Sequence, residues 1–336
     1  MKNLFFLAII LFAACTNQST QESPFTELVG EYLGQVQPKD SALLFAPGIV
    51  STGMADRDIA IYPDGSEIYF CKNIGNFKFS TLFYVKLVNG IWTKPQIVEF
   101  ATDPNYIFIE PHISPDGKKL YFASNKPIEG IEPGIMNIWI ADRIDDAWGE
   151  PYSIGAPINT QSDQYFPSLT KSGTLYFTSE DSLTNRESIY RSKLVDGVYQ
   201  EPEKLPENVN MARARFNAFI SPNEDYIIVP AFGMPDTYGA TDYYIVFRDE
   251  NDNWSEPLNM GDKVNSANGQ EWSAALSPDG KFLFYMSAKS PDNIDLATPL
   301  TAEKFEELNN TPQNGNSDIY WIGTDFINEL KKQAKF

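Results

Sequence analysis

Cysteine and histidine are scarce in this chain of 336 residues, and each shortage excludes a kind of site. The two cysteines are Cys15 and Cys71, and the one histidine is His112. Two cysteines cannot supply the disulfide framework of a small secreted scaffold, and one histidine cannot supply a zinc site built from several imidazoles. We therefore expect stability to come from apolar packing, with Cys71 buried on a strand.

Basic residues are also few. The chain has 26 Lys and Arg against 45 Asp and Glu, which gives a net charge of −19. Nucleic-acid binding needs clustered Lys and Arg that release counterions from the phosphates, so no nucleic-acid partner is expected. Cationic ligands, metal ions and neutral sugars fit this charge better, although the acidity is equally consistent with a role in solubility alone.

Long apolar runs are absent except at the N-terminus. Residues 4–14 are apolar, follow Lys2 and end in the letters "LFAAC" at Cys15. This run is too short for a transmembrane helix and has the length of a secretory signal. It resembles a bacterial lipoprotein signal. The resemblance implies a signal peptide over residues 1–14, lipidation of Cys15, a tether over residues 15–42, and anchoring in the cell envelope. Asn17 at the second position after Cys15 favours the outer membrane.

One short phrase occurs five times along the chain. "ISPDGKKLYFAS" at 113–124 is a strand end, a Pro-Asp-Gly turn and a second strand with alternating polarity. Similar phrases begin at positions 61, 169, 220 and 276. The turns recur with a nearly constant period of about 50 residues, at Pro63, Pro115, Lys171, Pro222 and Pro278. Five copies of one hairpin indicate a repeat protein.

Each repeat continues into a third strand and a short fourth segment. The fourth segment has the form Trp or Tyr, any two residues, then Pro, and begins at Trp92, Trp148, Tyr199 and Trp254. Four antiparallel strands per unit at this period are typical of a β-propeller blade. The sequence therefore predicts an all-β fold, a monomeric β-propeller of five four-stranded blades over residues 43–325.

The fifth repeat lacks the fourth segment, because the chain ends soon after "DIYWIG" at 318–323. Residues 43–51, "LLFAPGIVS", precede the first repeat and carry a similar apolar pattern. We expect this N-terminal strand to complete the last blade, which leaves no open sheet edge. Residues 326–336 then form a C-terminal tail or a capping helix.

The amino-acid sequence of the repeated turn resembles that of a known repeat family. "SPDG" at 114–117 and at 277–280, and "YPDG" at 62–65, are similar to the first turn of TolB-like β-propeller repeats. The chain as a whole looks most like the exported propeller lipoproteins of Bacteroidetes-type bacteria. The resemblance implies the fold, whereas propellers serve as scaffolds, receptors and hydrolases alike. We expect a binding or scaffold module for an envelope protein or a glycan.

Polar residues begin the innermost strands, where several blades meet at the mouth of the central channel. We predict a ligand-binding set there, formed by Asp56, Asp58, Glu110, His112, Arg213, Arg215, Glu271 and Trp272. The alternative is that these residues cap strand ends and neutralise one another across neighbouring blades. A lone histidine beside Pro111 is in any case more often packed and hydrogen-bonded than catalytic.

Carboxylates are the remaining candidates for chemistry. Asp58, Glu110 and Glu271 could serve in glycoside hydrolysis, which needs two carboxyl groups facing a pocket. Asp56 with Asp58 and Glu110 could instead hold Ca²⁺, which prefers oxygen ligands. Neither arrangement has a local motif, so the sequence favours a binding protein with no catalytic residue and no cofactor. A carbohydrate-active hydrolase or lyase that uses the mouth carboxylates is the alternative.

Overall fold

The computed structural model describes residues 28–181, 186–289 and 299–336. The predicted signal peptide, Cys15 and the first part of the tether lie outside these residues. The described chain is all-β and forms five small antiparallel sheets arranged as a five-bladed β-propeller, which confirms the prediction from the repeats. Within these residues no helix is long and apolar enough to cross a membrane.

The first two blades follow a short N-terminal strand, β1 (Leu43–Leu44). Blade 1 contains, from the channel outward, β2 (Ala55–Ile61), β3 (Glu67–Ile74), β4 (Phe79–Val88), β5 (Ile91–Trp92) and β6 (Gln96–Ile97). Blade 2 contains β7 (Phe108–Ile113), β8 (Lys119–Ser124), β9 (Asn137–Ile144), β10 (Ala147–Trp148) and β11 (Tyr152–Ser153). The fourth strand is short in both blades, where β6 pairs with β4 and β11 with β9.

The other three blades repeat this order. Blade 3 contains β12 (Gln164–Leu169), β13 (Leu175–Asp181), β14 (Arg186–Ser192), the hairpin of β15 (Leu194–Val195) and β16 (Val198–Tyr199), and β17 (Glu203–Lys204). Blade 4 contains β18 (Ala214–Arg215), β19 (Phe219–Ile220), β20 (Tyr226–Phe232), β21 (Thr241–Phe247) and β22 (Leu258–Asn259). Blade 5 contains β23 (Glu271–Leu276), β24 (Phe282–Ala288) and β25 (Ser317–Gly323).

The repeated turn owes its shape to local side chains. In blade 2 the Ser114 hydroxyl donates to the Asp116 carboxylate at 2.6 Å and accepts the backbone N–H of Lys119 at 3.0 Å. Gly117 has φ +73°, a left-handed conformation that costs glycine little because it has no Cβ. The turn is therefore specified by its own side chains, which explains why it recurs in the sequence.

The N-terminal strand closes the ring, as predicted from the missing fourth segment. Leu43 and Leu44 of β1 pair with β25 in the last blade, and the Phe45 N–H donates to the Ile319 carbonyl at 2.8 Å. The Phe45 ring is fully buried and lies 5.3 Å from the Trp321 ring. Strands from both ends of the chain thus share one sheet, which removes an exposed edge.

The contacts of the propeller begin before residue 43, where the sequence suggested a tether. Leu33 is buried, and the Trp92 indole donates to the Gly30 carbonyl at 2.8 Å. The Gln35 side chain donates to the Leu44 carbonyl at 2.6 Å and accepts from the Ala46 N–H at 2.8 Å. Residues 28–42 therefore pack against blades 1 and 5, because closure of the ring brings their apolar side chains to an existing core.

Short helical segments lie outside the blades. A 3₁₀ segment at Glu31–Gly34 precedes β1, and another at Glu99–Ala101 follows β6. Helix α1 (Ala302–Asn309) lies in the connection between β24 and β25 and buries no side chain, whereas α2 (Asp325–Lys331) follows β25 and buries Ile327. The apolar core itself lies between neighbouring blades, where Cys71 is fully buried.

Candidate functional site at the channel mouth

A bulge near the start of each inner strand decides which side chains reach the channel. The ladder shifts register after Arg57 in β2, and the bulged residue Asp58 has φ +49°. Glu110, Phe166 and Asn217 have φ between +48° and +61° in the next three blades. Non-glycine residues rarely adopt this conformation, and bulges of this kind commonly redirect a side chain next to a functional site.

The bulged residues form one ring around the channel. They recur at the spacing of the turns, as Asp58, Glu110, Phe166, Asn217 and Ser273. The Asn217 amide donates to Ser273 at 3.3 Å, and the Ser273 hydroxyl donates to Asp58 at 2.5 Å. The Glu110 N–H donates to Asp58 at 3.2 Å, and the Phe166 N–H donates to Glu110 at 2.7 Å. This bulge ring connects all five blades.

Arg57 is the cation of the bulge ring. Its Nε lies 2.8 Å from an Asp58 oxygen and its Nη2 lies 3.1 Å from a Glu110 oxygen, and none of the three side chains is more than 5% exposed. Burial lowers the pKa of Arg57, but the two carboxylates raise it above its ordinary value. Burial raises the pKa of Glu110, and Arg57 opposes that rise. The single positive charge of Arg57 can balance only one of the two carboxylates, so the second carboxyl group lies in the channel without a cation of its own.

Asp56 and Glu271 lie two positions before the bulge and are directed into their own blades. Asp56 is fully buried, pairs with Lys72 at 2.5 Å and accepts the Thr52 hydroxyl at 2.8 Å. Glu271 accepts the hydroxyls of Ser266 and Ser287, and burial raises its pKa to about 7. Both carboxylates contact residues of the loop that enters the blade, so the structure places them apart from the bulge ring.

Arg215 occupies the equivalent position in blade 4, and Arg213 lies further out. The Arg215 side chain is buried and donates to the Ser188 hydroxyl at 3.1 Å. Arg213 is exposed and lines a pocket of about 370 Å³ together with Asp163 and Glu187. Of the predicted set, the structure therefore brings Asp58 and Glu110 together, whereas Arg213 and Arg215 lie apart from these two acids.

His112 joins two blades. Its Nε2 accepts the Leu169 backbone N–H at 3.1 Å, and burial lowers its pKa to about 4. The ring is neutral at pH 7 and its acceptor nitrogen is occupied. Ser168, the equivalent residue of blade 3, accepts the Ile220 N–H in the same way at 3.1 Å. A position that is filled by His in one blade and Ser in the next indicates a structural contact between blades.

The open mouth lies above the bulge ring. Its pocket of about 230 Å³ is lined by Arg57, Glu110, Tyr165, Glu187, Phe216, Asn217 and Trp272. Tyr165, Phe216 and Trp272 each occupy the position immediately before the bulge, and the Tyr165 hydroxyl donates to Glu187 at 2.6 Å. Below the ring, the remaining cavity is only about 20 Å³, room for one water. The mouth is therefore the larger of these two spaces along the channel.

The residues suggested as a calcium site do not face one point. Asp56 pairs with Lys72, whereas Asp58 and Glu110 share Arg57. Among the residues that the structure describes, no group of three or more His, Cys, Asp or Glu side chains could hold a metal ion. The oxygen ligands of the suggested site already have cationic partners within the protein.

The predicted ligand-binding set left out Arg57 and Phe216, and sequence reasoning missed Ser273. The signal that could have found Ser273 is its spacing from Asn217, which matches the spacing of the turns Pro222 and Pro278. Arg57 gives no such signal, because its role depends on an acid in the neighbouring blade. Trp272 was predicted and lies at the mouth.

No protein-family model and no curated protein matches the chain. Solved structures that it resembles include TolB from Acinetobacter baumannii, at 13% identity and a TM-score of 0.43, covering 81% of this chain and 55% of that one. An exo-β-1,3-galactanase from Clostridium thermocellum has 12% identity and a TM-score of 0.48, covering 84% and 62% respectively. The NanB sialidase from Streptococcus pneumoniae has 10% identity and a TM-score of 0.39, covering 72% and 35%. This chain spans less than two thirds of the length of each, and all three similarities are too distant to assign it a function.

Proposed function

We propose that this chain is a lipid-anchored envelope protein whose propeller binds a protein or a glycan at the channel mouth and catalyses no reaction. The observation that carries this proposal is that the mouth acids are already occupied. Asp58 and Glu110 both bind Arg57, and each accepts a backbone N–H. A glycosidase needs two carboxyl groups that face the scissile bond. Here both acids lie beneath the surface and contact the same cation.

The surface above the acids suits binding. Tyr165, Phe216 and Trp272 are partly exposed around the mouth. Aromatic side chains supply large contact area at a small loss of conformational entropy, and they are enriched where ligands and partners bind. The rigid strands that carry them would hold the surface in shape before a ligand arrives.

Binding at the mouth can be tested with a matched pair of aromatic variants. Phe216→Ala is expected to weaken capture of the ligand from detergent-solubilised envelope by about tenfold, as expected for loss of a packed aromatic contact. Phe336→Ala is the control, because that ring is 67% exposed at the C-terminus. If both variants capture as much ligand as the wild type does, the mouth is not part of the binding surface.

Anchoring at Cys15 is a second expected result. The wild-type protein should incorporate radioactive palmitate and partition into detergent, whereas Cys15→Ser should incorporate none and remain unprocessed or be released. Cys71→Ser is the control, since Cys71 is buried in blade 1 and should not affect labelling. Recovery of the unlabelled wild type in the soluble fraction would contradict the anchor.

A hydrolase or lyase is the second candidate, because Glu110 has a raised pKa and lines the mouth pocket. A general acid needs a pKa close to the working pH. Under the binding proposal, wild-type protein turns over no member of a polysaccharide panel. Turnover that Glu110→Gln abolishes while the protein stays folded would replace the binding proposal with this alternative.

A further inference from the structure

A second, larger surface adjoins the mouth. A groove of about 700 Å³ lies between blades 1 and 5, within the range of about 300 to 1,000 Å³ typical of small-molecule sites. Its lining comes from residues 53–55, residues 73–77 at the end of β3 and in the following loop, Asn268, Gln270, Trp272, Ala288, Asn309 and residues 315–317. Trp272 lines both the mouth and this groove, so the two surfaces are continuous. We call it the blade 1–5 groove.

The chemistry of the blade 1–5 groove differs from that of the rest of the chain. Of the whole sequence, 21% is charged, yet none of the described residues that line the groove has a charged side chain. Six of them carry carboxamides: Asn73, Asn76, Asn268, Gln270, Asn309 and Asn316. A carboxamide offers two donors and one acceptor group, so it can satisfy a hydroxyl in either direction.

One of these amides is buried in the wall of the groove. Asn73 is only 6% exposed, and its side-chain oxygen has no hydrogen-bond partner among the residues that the structure describes. Buried polar atoms without partners are rare, because each costs about 1 to 3 kcal/mol. In contrast, Asn316 is fixed, since its amide donates to the Gly53 carbonyl at 2.9 Å. The groove therefore has one carboxamide, Asn316, that is fixed by a hydrogen bond, and one, Asn73, whose buried oxygen has no partner among the described residues.

Two aromatic rings complete the lining. Trp272 is partly exposed between the groove and the mouth, and Phe77 lies with the Arg57 guanidinium 5.1 Å from its ring centre. That cation–π contact helps to hold Phe77 in place. A pyranose has an apolar C–H face and a rim of hydroxyls, so it can stack on such rings while amides bind its edge.

We infer that the blade 1–5 groove binds an uncharged glycan. This inference rests on the proposed binding function and names the ligand class. A charged ligand would meet no counter-charge among the lining residues that the structure describes, and would lose hydration without compensation. A peptide that adds as a strand would need an open edge. Strand β3 pairs with β2 and β4 along its length, whereas β25 pairs with β24 along its length and with β1 at Tyr320 and Trp321.

The experiment is calorimetric titration of the full-length protein in detergent with neutral gluco-, manno-, xylo- and galacto-hexasaccharides. The comparison probes are an oligogalacturonate and an uncharged Gly/Ser peptide. At least one neutral hexasaccharide should bind, and its Kd should change less than about twofold between about 0.05 and 0.5 M NaCl, because no ion pair forms. Asn76→Ala and Gln270→Ala should each weaken binding by about three- to tenfold, the range expected for one lost hydrogen bond.

Two variants serve as controls. Gln333→Ala removes an exposed glutamine after α2, outside the groove, and should bind as the wild type does. Asn73→Leu keeps about the volume of the side chain but removes its carboxamide, and should weaken binding less than Asn76→Ala does, because Asn73 is buried and Asn76 is exposed. Its melting temperature, measured alongside, separates loss of binding from loss of folding.

The outcomes also separate this inference from the proposed function. Binding of no neutral hexasaccharide, of the oligogalacturonate alone or of the peptide alone overturns the glycan inference. So does sugar binding that Asn76→Ala and Gln270→Ala leave unchanged. If Phe216→Ala still weakens capture from envelope in such a case, the proposed binding function stands and only the ligand class is wrong.

Discussion

Replacing Arg57 by methionine is expected to lower the free energy of unfolding by about 3 to 5 kcal/mol, as measured by urea denaturation at pH 8. The substitution keeps an unbranched side chain but leaves Asp58 and Glu110 buried without their cation. An uncompensated buried charge costs more than the ion pair contributes, which is why this single change is more severe than a surface substitution.

The effect of Arg57→Met should depend on pH. Glu110 already has a pKa above its unfolded value, and loss of Arg57 raises that pKa further. A carboxyl whose pKa is higher in the folded state stabilises the fold at low pH, and this stability is lost as the pH rises through the folded pKa. The variant should therefore be closer to the wild type at pH 5 than at pH 8.

A triple variant provides the control. Adding Asp58→Asn and Glu110→Gln to Arg57→Met removes the unpaired charges and should recover part of the lost stability, with little dependence on pH. A stability of Arg57→Met within about 1 kcal/mol of the wild type at pH 8, a margin that is typical of exposed ion pairs, would mean that the bulge ring does not hold the blades together.

Replacing Phe45 by alanine is the second change with a large expected effect. Phe45 is fully buried, and its ring centre lies 5.0 Å from that of Phe284 and 5.3 Å from that of Trp321. A Phe→Ala substitution in such a core costs about 3 to 5 kcal/mol through lost burial and the cavity that remains. The loss acts at the seam where the two ends of the chain join.

Leu43→Ala is the matched control for the seam. Leu43 belongs to the same N-terminal segment, but its side chain is 38% exposed, so its replacement should cost less than about 1 kcal/mol. Urea denaturation of both variants at one pH gives the comparison. Similar losses at Phe45 and Leu43 would contradict a closure that depends on buried apolar contacts.

Most of the fold could be predicted because its signals are local. The Ser114–Asp116 turn and the alternation of apolar residues within each strand depend on neighbours in sequence. Their recurrence gave the number of blades, and the missing last segment predicted the pairing of residues 43–51 with the fifth blade. The start of the packed region was placed too late, because Leu33 has no periodic pattern and is buried only once the ring has closed.

The candidate site could be predicted in part. Glu110 and Trp272 line the mouth and Asp58 lies in the bulge ring beneath it, but Asp56 and Glu271 lie two positions before the bulge and are directed into their blades. In a regular strand, positions two apart share a face. The bulge inserts one residue and reverses that relation, and no glycine marks the left-handed φ of Asp58 in the sequence.

The sequence by itself determined the repeat, the five blades, the closing strand and the acidic, cysteine-poor composition, since each depends on residue types and their spacing. The tertiary structure alone decided which polar residues meet. Arg57 finds Glu110 because blade 2 packs beside blade 1, and Trp272 comes near Asn73 because closure places blade 5 beside blade 1. Contacts between residues so far apart in the chain are made by the arrangement of blades, and no local pattern in the sequence encodes them.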